Sequence, residues 1–529
     1  MTKISDLKAL LAAGRITRRQ FMEGAIALGV AATTAPLLIK EAFADTPKRG
    51  GHLKLALAGG HTTDSLDGAT LGDTFAIMLT MGGTFDALTE VAADGSLKGE
   101  LAESWEASDD AKEWTFKLRK GVEFHNGKPF GADDVIATIN HHLDDASKSS
   151  AKPIVKPIES MKKDDEHTII FTLQEGNADF PYLLSDYHLM IMPAGQFAES
   201  IAKGIGTGGY VLESFDPGVS AMVKRNPNDY RDDRSWFDSF EIIGANDVVA
   251  RTNALTTGEV HAINRVDLKT EHLLKRAPNV DIFEVTGNQH FTFPMLTDVA
   301  PYDNNDVRLA LKYSVDRDEL VQKVLSGHGS VGNDTPIGAA NRYRADIPQR
   351  TYDPDKARFH LKKAGLDSLD TVLTVSDGAF PGAVDAGALY KEHAAKAGIN
   401  ITLERVPGDG YWENVWRVKP WCACYWSGRP TEDWMFSTAY EAGADWNDTH
   451  FDNARFDELL LQARAELNEE RRAQMYAEMQ QILHDEGGVV IPMFANYVDA
   501  ASSELAHGPV IGNAWQMDGS RLTERWWFA

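Results

Sequence analysis

No internal repeat and no low-complexity linker interrupts the chain between residue 45 and its C-terminus. At 529 residues the chain is longer than one hydrophobic core usually supports, so we expect two or more lobes. Without a flexible tether, these lobes must share strands or crossing segments. Apolar residues alternate like a strand over 51–57, and helical spacing predicts a mixed α/β chain with helices over 133–143, 307–324, 353–364 and, as a pair, 456–483.

The charge and cysteine content exclude several classes of partner and site. The formal net charge is −25, and such a surface repels nucleic acid and anionic lipid, so neither is expected as a partner. The two cysteines, Cys422 and Cys424, are separated by one residue, which would strain a disulfide. We interpret them as small buried residues on a strand near the ligand, because two ligands alone do not make a metal site.

The first 44 residues have the pattern of an export signal. Residues 17–22, Thr-Arg-Arg-Gln-Phe-Met, resemble the twin-arginine motif, an apolar stretch over 24–39 follows, and Ala42-Phe43-Ala44 fits a small-x-small cleavage site. The apolar stretch contains Pro36 and is too short to span a membrane well. We therefore predict a cleaved signal peptide over 1–44, a mature chain that starts at Asp45, and a periplasmic location.

Segments that resemble enzyme motifs occur in the wrong context. Residues 204–209 match G-x-G-x-x-G, but a helical pattern precedes them and a strand pattern follows, which reverses the order of a dinucleotide site. Residues 327–332 miss G-x-S-x-G by one position, and the sequence contains no H-E-x-x-H. We therefore expect a protein that is not an enzyme and has neither a cofactor nor a metal site.

Six segments, in the same order along the chain, resemble the signature of one family. They are residues 101–105 (LAESW) with 114–130 (WTFKLRKGVEFHNGKPF), 206–210 (GTGGY) with 225–227 (RNP), 254–260, 305–317, 352–365 and 471–492. On these segments the chain resembles the family 5 extracellular solute-binding proteins, the peptide- and nickel-binding group. The alternation over 114–118 and the turn glycines Gly121 and Gly127 belong to the scaffold and say little about the ligand.

The resemblance implies an α/β fold of the two-lobed periplasmic-binding-protein type II kind, with an extra subdomain in the first lobe and two hinge strands. It places the first lobe at 45–290, with the inserted subdomain at about 91–195, and the second lobe at 291–494. Residues 495–529 would return to the first lobe. The implied function is that of a monomeric periplasmic receptor, which closes its cleft on a small organic solute and delivers it to the permease subunits of an ABC importer.

The ligand depends on residues 421–434. In peptide-binding relatives an Asp three residues after a Trp in this region holds the peptide α-amine. Alignment on Trp426 puts Arg429 at that position, and alignment on Trp421 puts Cys424 there, so both lose the carboxylate. Residues 376–380 also lack the basic residue with which some dipeptide-binding relatives hold the peptide carboxylate. We hypothesise that Arg429 binds an anionic group of the ligand, since a guanidinium is a planar fork suited to carboxylate, sulfonate or phosphate.

Several alternatives stay open at this point. Arg429 could instead pair with Glu432 or Asp433 and hold the loop, and Asp433 could supply the anionic contact. The aromatic residues between 412 and 446 fit either core packing or a cleft wall. A peptide or amino-acid-derived solute is the favoured ligand, with a sugar, opine or quaternary-ammonium compound, or a sensor partner, as alternatives. The ligand-binding candidates are Arg429, Trp426, Trp434, Asp433, Cys424, Tyr425, Asn288, His290, His61 and Trp446.

Overall fold

The computed structural model describes residues 47–408, 410–429 and 431–529, so the predicted export signal at 1–44 lies outside the described residues. The strands are β1 (His52–Leu57), β2 (Thr89–Val91), β3 (Leu97–Gly99), β4 (Ala102–Ala107), β5 (Glu113–Leu118), β6 (Ile158–Asp165), β7 (Thr168–Leu173), β8 (Tyr210–Asp216), β9 (Ser220–Arg225), β10 (Ser239–Gly244), β11 (Ala262–Ile263), β12 (Val280–Val285), β13 (His290–Pro294), β14 (Gly329–Val331), β15 (Leu369–Val375), β16 (Ile399–Arg405), β17 (Cys424–Trp426), β18 (Val489–Ala495), β19 (Tyr497–Ser502), β20 (Leu505–Ala506) and β21 (Trp527–Phe528).

The helices are Thr74–Leu79, Ala132–Leu143, Lys152–Val155, Phe180–Leu183, Phe197–Lys203, Val248–Thr256, Glu271–Leu274, Asn305–Tyr313, Arg317–Val324, Pro354–Lys363, Ala383–Ala395, Tyr411–Asn414, Glu432–Ala439, Ala454–Ala465, Glu469–Glu486, Gln516–Ser520 and Leu522–Arg525. A 3₁₀ turn covers Gly68–Thr70 and a π-helical turn covers Thr80–Thr84. None of the helices in the described part of the chain has the length and apolar content needed to cross a membrane.

The first lobe is built on a seven-stranded sheet with the order β12-β19-β11-β1-β10-β9-β8. Its central strand β1 lies parallel to β10 and β11, and its buried residues Leu53, Leu55 and Leu57 alternate with the more exposed side chains of His52 and Lys54. A four-stranded antiparallel sheet, β4-β5-β7-β6, is inserted into this lobe. The family-like signature therefore forms the core of a separate subdomain.

The second lobe has the sheet order β14-β18-β13-β17, which the parallel pair β15-β16 extends through a bridge between Thr374 and Cys422. Alternate residues of its strands enter two different hydrophobic cores. On β13 Phe291 and Phe293 belong to one core, while Trp426 on β17 belongs to the other. Both faces of this sheet are covered, as expected for an α/β lobe.

Two neighbouring segments connect the lobes. Strand β12 pairs with β19 in the first sheet, and their continuations β13 and β18 pair in the second. The crossings lie at residues 286–289 and at Asn496. The two-lobed type II fold with two hinge strands is thus confirmed, while the lobe boundaries given above stay a prediction.

The lobes also touch away from these crossings. Asp179, just before the helix Phe180–Leu183 of the inserted subdomain, forms a buried ion pair with Arg472 of the second-lobe helix Glu469–Glu486. The nitrogen–oxygen distance is 2.8 Å, and next to the pair the Ala178 amide donates to the Arg464 carbonyl at 2.7 Å. This lobe contact holds the subdomain against the second lobe.

The structure corrects one predicted helix and supports the others. The pattern over 307–324 is not one helix: Asn305–Tyr313 ends at Ser314, and Asp316 then caps Arg317–Val324 by accepting from the Glu319 amide. An N-cap starts a new helix in nearly the same phase, so the apolar spacing conceals the break. The other predicted helices are present, Asp353 caps Pro354–Lys363, and the predicted pair is separated at residues 466–468.

The glycine-rich segment at 204–209 also behaves as the sequence indicates. Gly204 has φ of 61° and ends the helix Phe197–Lys203, and strand β8 begins at Tyr210. This helix-to-strand order is the opposite of a dinucleotide-binding turn.

Candidate functional site

Arg429 is carried by a short loop between β17 and the helix Glu432–Ala439. This loop packs tightly on the segment where the chain enters the second lobe: a Cβ on Gly428 would lie 2.1 Å from the Cβ of Asn288. Only glycine fits there. The Asn288 amide also donates to the Arg429 carbonyl at 3.4 Å, so the loop is fixed to the hinge.

The Arg429 guanidinium lies between two indole rings. Its central carbon is 5.9 Å from the ring centre of Trp426 and 5.4 Å from that of Trp434, within the range of cation–π attraction. One terminal nitrogen donates to the Ser427 carbonyl at 2.7 Å, whereas Nε is buried without a hydrogen-bond partner. Burial lowers the pKa of this guanidinium, and Tyr187 and Asp186 oppose the shift.

The alternative in which Arg429 pairs with Glu432 or Asp433 is wrong. The Asp433 carboxylate pairs with Arg464 at 2.9 Å, and the Glu432 carboxylate accepts from the Tyr343 amide at 2.7 Å. Within the described ranges no carboxylate lies at ion-pair distance from Arg429. Asp433 is consequently occupied by a structural partner, and the structure does not bring it to the ligand side of Arg429 as a free carboxylate.

Arg429 lies where the two lobes meet. Tyr187 and Asp186 of the inserted subdomain are close enough to act on its charge, and Trp434 packs against the core of that subdomain. Tyr187 and Asp186 were missed by the sequence reasoning, since neither belongs to a motif. A group held by Arg429 would touch both lobes, as closure around a ligand requires.

A group of five aromatic rings, here called the aromatic wall, continues from Arg429 along the second lobe. It comprises Trp412, Trp416, Tyr425, Trp426 and Trp446, with neighbouring ring centres 5.6 to 6.2 Å apart. Trp412, Tyr425 and Trp446 are 39 to 49% exposed, which is unusual for such large rings, whereas Trp426 is buried. This exposed face makes the aromatic wall a candidate ligand surface, while its buried rings belong to the core.

Trp421, the starting point of the second alignment, has a structural role. Trp421 is buried and packs against Tyr302 and Tyr390 in the second-lobe core. The alignment that puts Cys424 at the anchor position therefore starts from a core residue. Trp426, from which the other alignment starts, is buried too, but the Arg429 guanidinium lies over its ring.

Asn288 and His290 place two unpartnered acceptors near Arg429. His290 is fully buried, and burial lowers its pKa to about 4, so its ring is neutral at pH 7. Its Nδ1 donates to the Asn288 carbonyl at 2.9 Å, which leaves Nε2 as an acceptor. Nε2 and the Asn288 side-chain oxygen are both buried without hydrogen-bond partners.

The first lobe contributes a polar group opposite the aromatic wall. Exposed His61 lies 4.0 Å from Asp73, which also pairs with Arg265. Tyr425 of the second lobe is near enough to Asp73 and Arg265 for their charges to influence its pKa, which burial raises. His61 of the first lobe and Tyr425 of the second lobe thus have Asp73 as a common neighbour.

Both cysteines are free and buried, as expected. Burial raises the pKa of Cys422 to about 12 and that of Cys424 well above its usual value, so neither forms a thiolate at neutral pH. Cys424 lies beside Asp448, a buried carboxylate that accepts a hydrogen bond from Trp416 of the aromatic wall and that no sequence motif marks.

Known proteins agree with this architecture. The model of the bacterial extracellular solute-binding proteins, family 5 (middle part), matches residues 96–448. Among curated relatives, the di/tripeptide-binding protein 1 of Pseudomonas aeruginosa is 28% identical, covering 76% of this chain and 81% of the relative. The heme-binding protein A of Haemophilus influenzae is 27% identical, covering 73% and 77%. The glutathione-binding protein GsiB of Escherichia coli is 25% identical, covering 93% and 96%.

Two solved structures share the fold. The DppA protein of Helicobacter pylori, in complex with the peptide STSA, superposes with a TM-score of 0.76 at 21% identity, covering 91% of this chain and 99% of that one. The AgaA protein of A. tumefaciens R10, in complex with agropinic acid, gives 0.75 at 22% identity, covering 90% and 99%. The chain is a solute-binding receptor of the kind that serves ABC importers, and it belongs to the bacterial extracellular solute-binding proteins of family 5.

Proposed function

We propose that this receptor captures a small anionic organic solute, peptide- or amino-acid-derived, with Arg429 as the anchor for its acid group. In this proposal a twin-arginine signal over 1–44 exports the chain, which acts as a periplasmic monomer and passes its ligand to ABC permease subunits. The ligand-facing residues are Arg429, Trp426, Trp434, Tyr425, Trp446, Asn288, His290 and His61.

The observation that supports the anchor is the state of the Arg429 guanidinium. Two indole faces fix its plane, its Nε has no partner, and no carboxylate within the described ranges neutralises it. A partly buried charge without a counter-ion is costly, and an anion that takes the free edge of the fork removes this cost. A peptide α-amine at the same place would meet a like charge, which argues against the binding mode of the peptide-binding relatives.

The relatives bind peptides, heme and glutathione, and AgaA was solved with an acid, so the family tolerates varied ligands. The alternative of a neutral sugar leaves Arg429 without a counter-ion and is less favoured. A sensor role in place of import would use the same site, and uptake that persists after deletion of the protein would favour it.

The test begins with the purified mature protein. Small molecules are released by denaturation and identified by mass spectrometry, and their affinity for the refolded protein is measured by calorimetry. Arg429→Lys keeps the charge but removes the fork, and we expect at least tenfold weaker binding, about 1.4 kcal/mol. Arg405→Gln, an exposed second-lobe arginine, serves as the matched control. A released ligand without any acidic group, or unchanged affinity in Arg429→Lys, would refute the proposal.

A further inference from the structure

Asp448 is a buried carboxylate without a counter-ion. Its side chain is 2% exposed, one oxygen accepts from the Trp416 indole nitrogen at 3.0 Å, and the other is buried without a hydrogen-bond partner. In the parts of the chain that the structure describes, no Lys, Arg or His lies within ion-pair distance of it. An isolated buried carboxylate is costly, which makes a structural role alone a poor account of this residue.

Further polar groups without partners surround this carboxylate. The Cys424 thiol is a hydrogen-bonding neighbour of both Asp448 and Thr292, and the Tyr440 hydroxyl is close enough to interact with Asp448 and Cys424. The hydroxyl oxygens of Thr292 and Tyr440 are buried and lack hydrogen-bond partners. Buried polar atoms are nearly always paired, and one thiol supplies a single weak hydrogen to two oxygens here, so this under-satisfied cluster indicates a site for a polar group.

Three indoles of the aromatic wall stand beside this polar cluster. The ring centres of Trp416, Trp426 and Trp446 are 6.1 to 6.2 Å from one another. Indole faces attract organic cations, and a carboxylate at the edge of the rings strengthens the attraction. A divalent metal is disfavoured, because it needs several carboxylate or carbonyl oxygens and this cluster has one carboxylate.

One indole connects this cluster to Arg429. The guanidinium of Arg429 lies over the face of Trp426, and the same side chain of Trp426 acts as a hydrogen-bonding neighbour of Asp448. The anion site and the polar cluster thus share one indole, that of Trp426. We infer that Asp448, together with Trp416, Trp426 and Trp446, binds the protonated amine of a zwitterionic ligand whose acid group lies on Arg429. This inference rests on the function proposed above and narrows the ligand to an amino acid or a short derivative of one.

The test compares matched probes that differ only at the amine. Each probe, the common L-amino acids and glycyl dipeptides, is titrated by calorimetry and indole fluorescence beside its N-acetylated counterpart. In the wild type we expect at least one amine-bearing probe to bind at least tenfold tighter than its N-acetyl form. Asp448→Asn should abolish this ratio, Asp448→Glu should keep part of it, and Asp445→Asn, an exposed neighbour, should leave it unchanged.

The outcomes separate the two proposals. Equal binding of both probe forms in the wild type, an unchanged ratio in a folded Asp448→Asn protein, or no binding by any probe overturns the inference. Arg429→Gln should weaken the amine-bearing and N-acetylated forms by the same factor. If it does so while the ratio is insensitive to Asp448, the acid anchor stands and the amine site fails. If Asp448→Asn abolishes the ratio while Arg429→Gln leaves the affinity of both probe forms unchanged, the acid anchor fails and the amine site stands.

Discussion

The ion pair between Asp179 and Arg472 should hold the lobes together, and its removal should open the protein. Both side chains are 5% exposed, and the Arg472 guanidinium also donates two hydrogen bonds to the Tyr343 hydroxyl at 2.8 and 3.2 Å. Arg472→Gln leaves the Asp179 carboxylate buried in the closed state. In the open state water solvates it, because its second-lobe partner has moved away.

The size of the effect follows from this burial. Removal of one partner from a buried ion pair costs about 3–5 kcal/mol, and this cost applies only while the lobes are closed. At about 1.4 kcal/mol per tenfold change, the ratio of open to closed protein should rise by a factor of roughly 10² to 4 × 10³. Water that enters the contact in the closed state would solvate the Asp179 carboxylate and reduce the change in this ratio, so the stated factor is an upper bound.

Small-angle X-ray scattering without ligand measures the result as an increased radius of gyration in Arg472→Gln. The adjacent Arg471→Gln is the matched control, because Arg471 is 71% exposed and lies 3.8 Å from its nearest carboxylate. The double variant Asp179→Asn with Arg472→Gln should be more closed than the single variant, since no charge is left buried. A scattering curve for Arg472→Gln that matches the wild type, with the fold intact by circular dichroism, would refute the reasoning.

Three further predictions concern the binding loop, pH and stability. Gly428→Ala should displace the Arg429 loop from Asn288 and weaken ligand binding at least tenfold in calorimetry with the fold retained, whereas Gly508→Ala, which has free space, should have no effect. Burial raises the pKa of Asp448 from 3.8 to about 6, so its charge opposes folding above pH 6 and this cost fades as the pH falls towards 4. In urea unfolding, Asp448→Asn should therefore be more stable than the wild type at pH 8, by about 3 kcal/mol at most. This gain in the free energy of unfolding should vanish near pH 4. Equal gains at both pH values would contradict the reasoning. Asp334→Asn weakens the contacts to two buried arginines at 2.7 and 3.0 Å and should cost about 3–5 kcal/mol in the same assay, so a loss below 1 kcal/mol would count against it.

The scaffold was largely predictable because its determinants are local. The apolar alternation of residues 114–118 forms β5, Asp353 caps its helix, and Gly121 and Gly127 adopt the positive φ that their turns need. These features depend on neighbours within a few residues. The missed break at Ser314 is local too, but Asp316 restarts the helix in a phase that hides it.

The site was only partly predictable because its determinants are distant along the chain. Sequence comparison alone marked Arg429 as a departure from peptide-binding relatives. It did not reveal that Asp433 forms an ion pair with Arg464 or that Tyr187 lies close enough to Arg429 to act on its charge. Asp448 has no motif around it, and its burial depends on how the aromatic wall packs. Tertiary contacts of this kind leave no periodic trace in a sequence.

The paired crossings also decide the order in which the protein can be assembled. All strands of the second-lobe sheet lie between residues 290 and 495, whereas the first sheet needs β19, at residues 497–502, between β11 and β12. Until β19 has been synthesised, β12 has no partner in that sheet and the hinge is not fixed. The second lobe can therefore fold on a growing chain while the first lobe still presents open strand edges, which are sites of aggregation. A chain truncated shortly before residue 497 should thus leave one lobe well formed and the other prone to self-association.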